Sequence, residues 1–272
     1  MARLSGVPRV VVGGICVDAL SRKEWSERIV EFCLAKRAPD QLPMITFAAN
    51  GQVIALYATN ASFRYHFNKA DAINADGQPM VWASRMTTCP LPERAATTDL
   101  FHDVARAAEL KDLSFYLLGA TEKSNCIAAS RIQETYPSLR IVGRRNGYFS
   151  VTEETEIVDQ IRAVKPDILW VGMGVGRQEQ FVTRNVVRLS GVQWVLTCGG
   201  LLDYFTDEVK RAPKWVQEHS LEWLFRTWQE PQKYLLRYVC TNPIAAWLLL
   251  TRTRSLDESR LSSVMTAIEP KS

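Results

Sequence analysis

The sequence predicts an α/β fold: a Rossmann-like, mostly parallel sheet flanked by helices, with a helical, basic appendage at the C-terminal end. Three observations predict it. Over the first three quarters of the chain, short apolar runs alternate with amphipathic stretches at the spacing of βαβ units. Several apolar runs stop at glycine, most clearly where Ile168–Gly172 leads into Met173-Gly174-Val175-Gly176 and then Arg177-Gln178-Glu179. After about Leu201 the strand-like runs cease, and Pro213, Pro231 and Pro243 punctuate a helical pattern.

Taken in order, Val10–Val12 is a first short apolar strand and Arg22–Ala35 a first amphipathic helix. Met44–Phe47 is a buried-type strand, and Gln52–Asn60 the helix that follows it. Ala72–Asn74 leads into Ala75-Asp76-Gly77, a strand with turn chemistry at its end. The helix Asp99–Glu109, the strand Ser114–Leu118 and the helix Glu122–Thr135 complete another unit. Arg140–Gly143, Glu153–Val164, Ile168–Gly172, Gln178–Leu189 and Trp194–Thr197 continue the alternation. Leu118-Gly119-Ala120 and Cys198-Gly199-Gly200 repeat the strand-then-glycine pattern, so several ligand-facing loops would share one sheet edge. The expected organisation is a core over 1–208, a basic, tryptophan-rich helical appendage over 209–256, and a polar tail over 257–272. Deleting everything after Val209 is expected to leave a soluble core.

At 272 residues, 47% hydrophobic and 23% charged, the composition is that of a globular protein and excludes disordered and collagen-like classes. Six scattered cysteines without a CxxC pair argue against a disulfide framework and a zinc site. With three histidines and no HExxH, no metal is expected. The N-terminal run has no secretory signal pattern, and no stretch reaches the roughly 20 apolar residues that span a bilayer. The expected location is the cytoplasm, peripheral on the inner face of the cell membrane.

The net charge is only +4, but it is concentrated. From Val209 to Arg254 eight Lys/Arg face three acids, and the same stretch holds Trp215, Trp223, Trp228 and Trp247. Basic plus aromatic is the composition of a surface that meets phosphates or a membrane interface. The structural alternative is a solvated basic face packed onto the core through its tryptophans. On one uninterrupted helix Arg226, Lys233 and Arg237 would lie within about 40° of each other, but Pro231 breaks such a helix.

Three further groups carry candidate chemistry. Asp76, at a strand end, is placed as a general base for a hydroxyl nucleophile; the alternative is a plain strand-end turn. Arg94 offers a planar fork to a phosphate or carboxylate; the alternative is an ion pair with Glu93 beside a helix capped by Thr98 or Asp99. Gly172-Met173-Gly174-Val175-Gly176 is GxGxG rather than GxGxxG, with no acidic residue about twenty positions on, which weakens a dinucleotide reading. There is no P-loop, no GxSxG elbow and no Asp-x-Asp pair. The charge of a bound nucleotide would therefore fall to basic side chains and backbone amides.

Read together, these motifs resemble the WecG/TagA/CpsF family of bacterial glycosyltransferases. The resemblance runs from about Ile45 to Tyr238 through Asn50, Ala75-Asp76-Gly77, Glu93-Arg94 with Asp99, Leu118-Gly119, Gly147-Tyr148-Phe149, Pro166-Asp167 with Gln178-Glu179, Gly199-Gly200 with Arg211-Ala212-Pro213-Lys214-Trp215, and Glu222-Trp223-Leu224-Phe225-Arg226 with Glu230-Pro231. It implies an inverting, metal-independent transfer of a sugar from a UDP-sugar to a polyprenyl-diphosphate-linked saccharide, in exopolysaccharide or other cell-surface polysaccharide biosynthesis. By position it implies Asp76 as the base. Asn50 and Gln178 would line the pocket and Arg94 would sit near the diphosphate or sugar. Arg226, Lys233 and Arg237 would meet the leaving-group charge from an appendage that closes over the site at the membrane. No cofactor and no nucleic-acid partner is implied, and a homo-oligomer is compatible with it.

The chain departs from the family pattern at Ala48, where a threonine is usual, at Thr97, where a glycine is usual, and at Lys233, where an arginine is usual. These changes leave the reaction class standing and point toward an exopolysaccharide or capsule variant. A nucleotide-cofactor oxidoreductase and a non-catalytic membrane scaffold are the rival classes at this level.

Overall fold

The computed structural model describes residues 4, 6–35, 41–206 and 210–256. The expected boundary at Val209 and the polar tail 257–272 lie outside the described residues.

The chain begins with a hairpin, β1 (Arg9–Val12) and β2 (Ile15–Asp18), joined by Gly13-Gly14. Both glycines have positive φ, which the two-residue hairpin turn needs. Helix α1 (Arg22–Leu34) follows, with Ser21 and Glu24 forming a capping box. Next come β3 (Met44–Ala49), α2 (Gly51–Thr59), α3 (Ala61–Phe67), β4 (Ala72–Ala75), α4 (Gln78–Ser84) and α5 (Thr97–Glu109). Then β5 (Ser114–Gly119), α6 (Glu122–Thr135), β6 (Arg140–Arg145), α7 (Glu154–Val164), β7 (Ile168–Gly172), α8 (Arg177–Asn185) and β8 (Trp194–Thr197) complete the alternation.

Six of these strands form one sheet in the order β4-β3-β8-β7-β5-β6, every neighbouring pair parallel. The predicted Rossmann-like sheet is therefore present, flanked by helices. Its central strands are buried along their whole length, because crossover helices cover both faces. One apolar cluster joins Ile45, Phe47, Val171 and Val195 to α2, α7 and α8. The other joins Phe115, Trp170 and Trp194 to α1, α5 and α6.

Beyond the sheet, a 3-10 turn (Leu201–Phe205) leads toward α9 (Lys214–Glu218), α10 (Glu222–Gln229) and α11 (Pro231–Thr251). Pro231 stands in the first turn of α11, where its missing N–H is harmless, so it separates two helices as its sequence position implies. The last turns of α11 return to the core: Ala245, Leu248 and Leu249 are buried in the cluster containing Ile54 and Val53 of α2. The chain then adds β9 (Arg254–Ser255) to the edge of the N-terminal hairpin, pairing with β1. A cut at Val209 would remove these core residues along with the basic helices.

The tryptophans of α9 to α11 are not buried in the core, although Trp223 borders the cavity described below. Trp228 is 78% exposed and Trp247 67%, and Trp215 and Trp223 are exposed as well. Leu224, Leu235, Leu236, Val239 and Leu250 join them on the outside of this region. The alternative of a face anchored through its tryptophans is thus overturned. Among the described residues no helix is long and apolar enough to cross a membrane.

Candidate active site

The carboxyl ends of β3, β4, β5, β7 and β8 all open onto one cavity of ≈ 360 Å³, which α10 and α11 wall from the opposite side. This is the edge at which open parallel sheets bind ligands, because strand ends and helix starts diverge there. At the middle of that edge two strand ends almost touch. A Cβ on Gly119 would collide with the Gly172 carbonyl oxygen, so only glycine permits the approach of β5 to β7. Beyond β7, Gly174 and Gly176 take positive φ of 83° and 97°, turning the chain into α8.

Asp76 follows β4 and lines the cavity. Its backbone N–H donates to the Ala49 carbonyl (2.7 Å), which ties it to the end of the neighbouring strand. Oδ1 accepts from the Thr97 N–H at 3.2 Å and lies 3.6 Å from the Arg94 guanidinium. Oδ2 has no hydrogen-bond partner among the described residues. The Asp-Gly dipeptide joins a strand to α4, so the plain strand-end turn is not what forms here. Burial pushes the Asp76 carboxyl above the usual aspartate range; Arg94 opposes this, and Glu222 adds to it. A carboxylate with a raised proton affinity and a free oxygen facing a cavity is equipped to accept a proton.

Arg94 is held from three directions. Its Nε donates to the Asp76 carbonyl at 2.7 Å, one Nη lies near the Asp76 carboxylate, and the same Nη donates to Glu222 Oε2 at 2.9 Å. Glu93 turns the other way, where its Oε1 accepts from the Arg22 N–H. The simple Glu93–Arg94 pair is therefore absent. The expected Thr or Asp cap is absent too: α5 starts after Ala96, and Asp99 makes a two-pronged pair with Arg211 at 2.6 and 2.8 Å.

Asn50 caps α2 through Oδ1, which accepts from the Val53 N–H, and its amide nitrogen has no partner among the described residues while the residue lines the cavity. Gln178, only 2% exposed, lies in the cavity wall with both ends of its amide engaged. Nε2 donates to Glu179 Oε1 (2.9 Å), and Oε1 accepts from the Gly199 N–H (3.1 Å). It staples the glycine turn after β7 to the one after β8. Glu179 in turn accepts from the Gly176 N–H, and burial raises its carboxyl above the usual range.

The appendage supplies the facing wall. Arg226 donates to Glu222 Oε1 (2.9 Å) and lies over the Tyr204 ring, 5.2 Å from its centroid. Arg237 lies 4.5 Å from the centroids of both Tyr234 and Tyr238 and makes no ion pair among the described residues. Arg226 and Arg237 come from different helices, so α10 and α11 meet as the shared basic face requires. The Lys233 side chain lies outside the described residues. Asp76, Asn50, Arg94, Gln178, Arg226 and Arg237 thus border a single cavity.

Two participants escape sequence reasoning. Glu222 links Arg94 to Arg226, and Tyr204 donates to Glu222 Oε1 at 3.4 Å. The i,i+4 spacing of Glu222 and Arg226 is visible in the sequence, but the reach of Glu222 to Arg94, 128 positions away, is not. No group of three or more His, Cys, Asp or Glu able to hold a metal ion occurs among the described residues.

Comparison with known proteins shows the family of the chain. The sequence model described as glycosyl transferase WecG/TagA/CpsF family matches residues 10–259. The chain is also 28% identical over 222 residues to a protein of Staphylococcus aureus (strain MRSA252) named N-acetylglucosaminyldiphosphoundecaprenol N-acetyl-beta-D-mannosaminyltransferase, covering 82% of this chain and 85% of that one. The same-named protein of strain NCTC 8325 / PS 47 matches at the same identity and coverage.

Proposed function

The chain belongs to the WecG/TagA/CpsF glycosyl transferase family, and from that premise we propose that it moves a sugar from a UDP-sugar to a polyprenyl-diphosphate-linked saccharide, inverting the anomeric carbon without a metal ion. Glycosyl transfer replaces the oxidoreductase and scaffold readings. The observation that carries the proposal is the single cavity with Asp76 on its sheet side and Arg226 and Arg237 on its appendage side.

In this reaction Asp76 Oδ2 takes the proton of the acceptor hydroxyl as that oxygen bonds to the anomeric carbon. The bond from the anomeric carbon to the UDP oxygen breaks on the opposite face, so one displacement inverts the centre. The electron pair leaves on the UDP diphosphate, and guanidinium groups fixed at the cavity wall offset its charge. Arg237, which lacks an anionic partner among the described residues, and Arg226 are the residues for that task, with Lys233 on the same helix. Asn50 and Arg94 border the donor and acceptor space, and Gln178 shapes its floor.

The relatives' name specifies an acceptor carried on diphosphoundecaprenol, which supports a lipid-linked acceptor here. The exposed Trp228, Leu236, Val239 and Trp247 beside the basic residues support peripheral binding to the inner face of the cell membrane. The product would enter an exopolysaccharide or related cell-surface polymer.

The test is transfer of labelled sugar from a panel of UDP-sugars to a lipid-linked acceptor, in wild type and Asp76→Asn. Wild type should release UDP with at least one donor in the presence of EDTA. Asp76→Asn should lose about 10²–10⁴-fold in kcat with an unchanged unfolding midpoint. Near-normal turnover in the variant removes Asp76 from the role of base.

A further inference from the structure

Glu222 is an acid beside the arginines of the appendage wall, and the reaction above gives it no task. Its carboxylate is nevertheless held by three partners. The side chain is 16% exposed, Oε2 accepts from Arg94 at 2.9 Å, and Oε1 accepts from Arg226 at 2.9 Å and from the Tyr204 hydroxyl at 3.4 Å. Arg94 belongs to the core and holds Asp76 through both its carbonyl and its carboxylate. A single carboxylate therefore joins the first turn of α10 to the residue that orients the base.

We propose that Glu222 is a positioning residue for transfer: by gripping Arg94 from the appendage it draws one Nη away from Asp76, and so couples the seating of α10 to the readiness of the base. The proposal rests on the glycosyl-transfer reading for its effect on turnover, but not for its effect on Asp76 itself.

The physical argument is a competition for one guanidinium. The Nη of Arg94 lies 2.9 Å from Glu222 and 3.6 Å from Asp76, so the appendage carboxylate has the closer contact. The charged and titratable groups that face Asp76 are Arg94 from the loop before α5, Glu222 and Arg226 from α10, and Tyr204 from the 3-10 turn. The remaining polar contact of the carboxylate is the Thr97 N–H. Burial would raise Glu222 itself, but Arg94 and Arg226 hold it below the usual glutamate range, the direction opposite to that of Asp76. Removing its charge takes a repelling carboxylate from Asp76 and frees Arg94 to approach it. Both changes favour ionised Asp76, making it a weaker base. A carboxylate that anchored the helix out of reach of both Asp76 and Arg94 would not move that titration.

The test follows the Asp76 carboxyl by ¹³C NMR in the full chain, assigned by its loss in Asp76→Asn. In Glu222→Gln the Asp76 midpoint should fall by about one pH unit. The acid limb of kcat/KM should move down with it, and kcat should fall about tenfold while the donor KM changes far less. Asp99→Asn, which cuts the separate Arg211 tie, serves as the anchoring control and should leave the Asp76 midpoint in place. Should Glu222→Gln fail to fold, Glu222→Asp, one methylene shorter, should shift the midpoint in the same direction by less. An unmoved midpoint in the folded variant, or an acid limb that stays put, overturns the proposal. If wild type transfers no sugar, the functional reading fails on its own, and the NMR midpoint still decides whether Glu222 acts on Asp76.

Discussion

The two walls of the cavity are built by opposite means. On the sheet side, position is a property of the backbone: Asp76 is pinned by its own N–H to a neighbouring strand, and glycines let strand ends crowd together. On the appendage side, position is a property of long side chains: Arg226 and Arg237 reach inward over tyrosine rings from helices whose outer faces are apolar and exposed. The difference teaches that the sheet edge is pre-set by folding, whereas the basic wall depends on how α10 and α11 sit.

The sharpest way to break that contrast is Arg237→Ala. It should cost roughly 10²–10³-fold in kcat, the scale of losing one preorganised charge-stabilising donor, while the unfolding midpoint stays put. A large drop in the midpoint instead would make Arg237 a structural residue. A second test contrasts two leucines of α11. Leu248→Ala, in the core, should destabilise by about 2–5 kcal/mol, whereas exposed Leu236→Ala should stay within about 0.5 kcal/mol and instead weaken binding to anionic vesicles. Equal stability losses would erase the distinction between the inner and outer faces of that helix.

The smallest expected effects are electrostatic. Because burial raises Asp76, the acid limb of the wild-type rate profile should lie above the ordinary aspartate value of 3.8. Arg94→Met removes the cation that opposes burial and should push the limb higher still; a limb that moves down would contradict the geometry. For Glu222 the sign is reversed. Its folded value is lowered, so its stabilisation is present above the ordinary glutamate value of 4.5 and is lost as pH falls through the lowered value. The emission of Trp223, one residue along, should report that loss before global unfolding.

The sequence exposed the sheet wall well and the appendage wall less so, for physical reasons. Strand ends such as Ile168–Gly172 and Ala72–Ala75 are read from local apolar runs, and their edge collects Asp76 and the glycine turns wherever the helices go. The hairpin β1–β2 carries a two-residue turn signal in Gly13-Gly14, but the four-residue run Ile15–Asp18 is too short to declare a strand by itself. Helices α3 and α4, seven residues each, are too short for periodicity to declare them. The grip of Glu222 on Arg94 and the return of Leu248 to the core are contacts between distant parts of the chain, which no local pattern encodes. Composition alone left open whether the tryptophans pack onto the core or stay exposed, because apolar side chains ordinarily mean burial; Trp215, Trp228 and Trp247 are exposed.

The pairing of β9 with β1 gives the basic wall a different thermodynamic character. A tail anchored at one end would meet the cavity as a loose ligand, whereas the segment between Phe205 and Arg254 is fixed at both ends, so its closure entropy is settled when the protein folds. Its arginines stand at the cavity at an effective concentration of millimolar or more. Salt and dilution should then act on the arriving substrate and the membrane rather than on the assembly of the site.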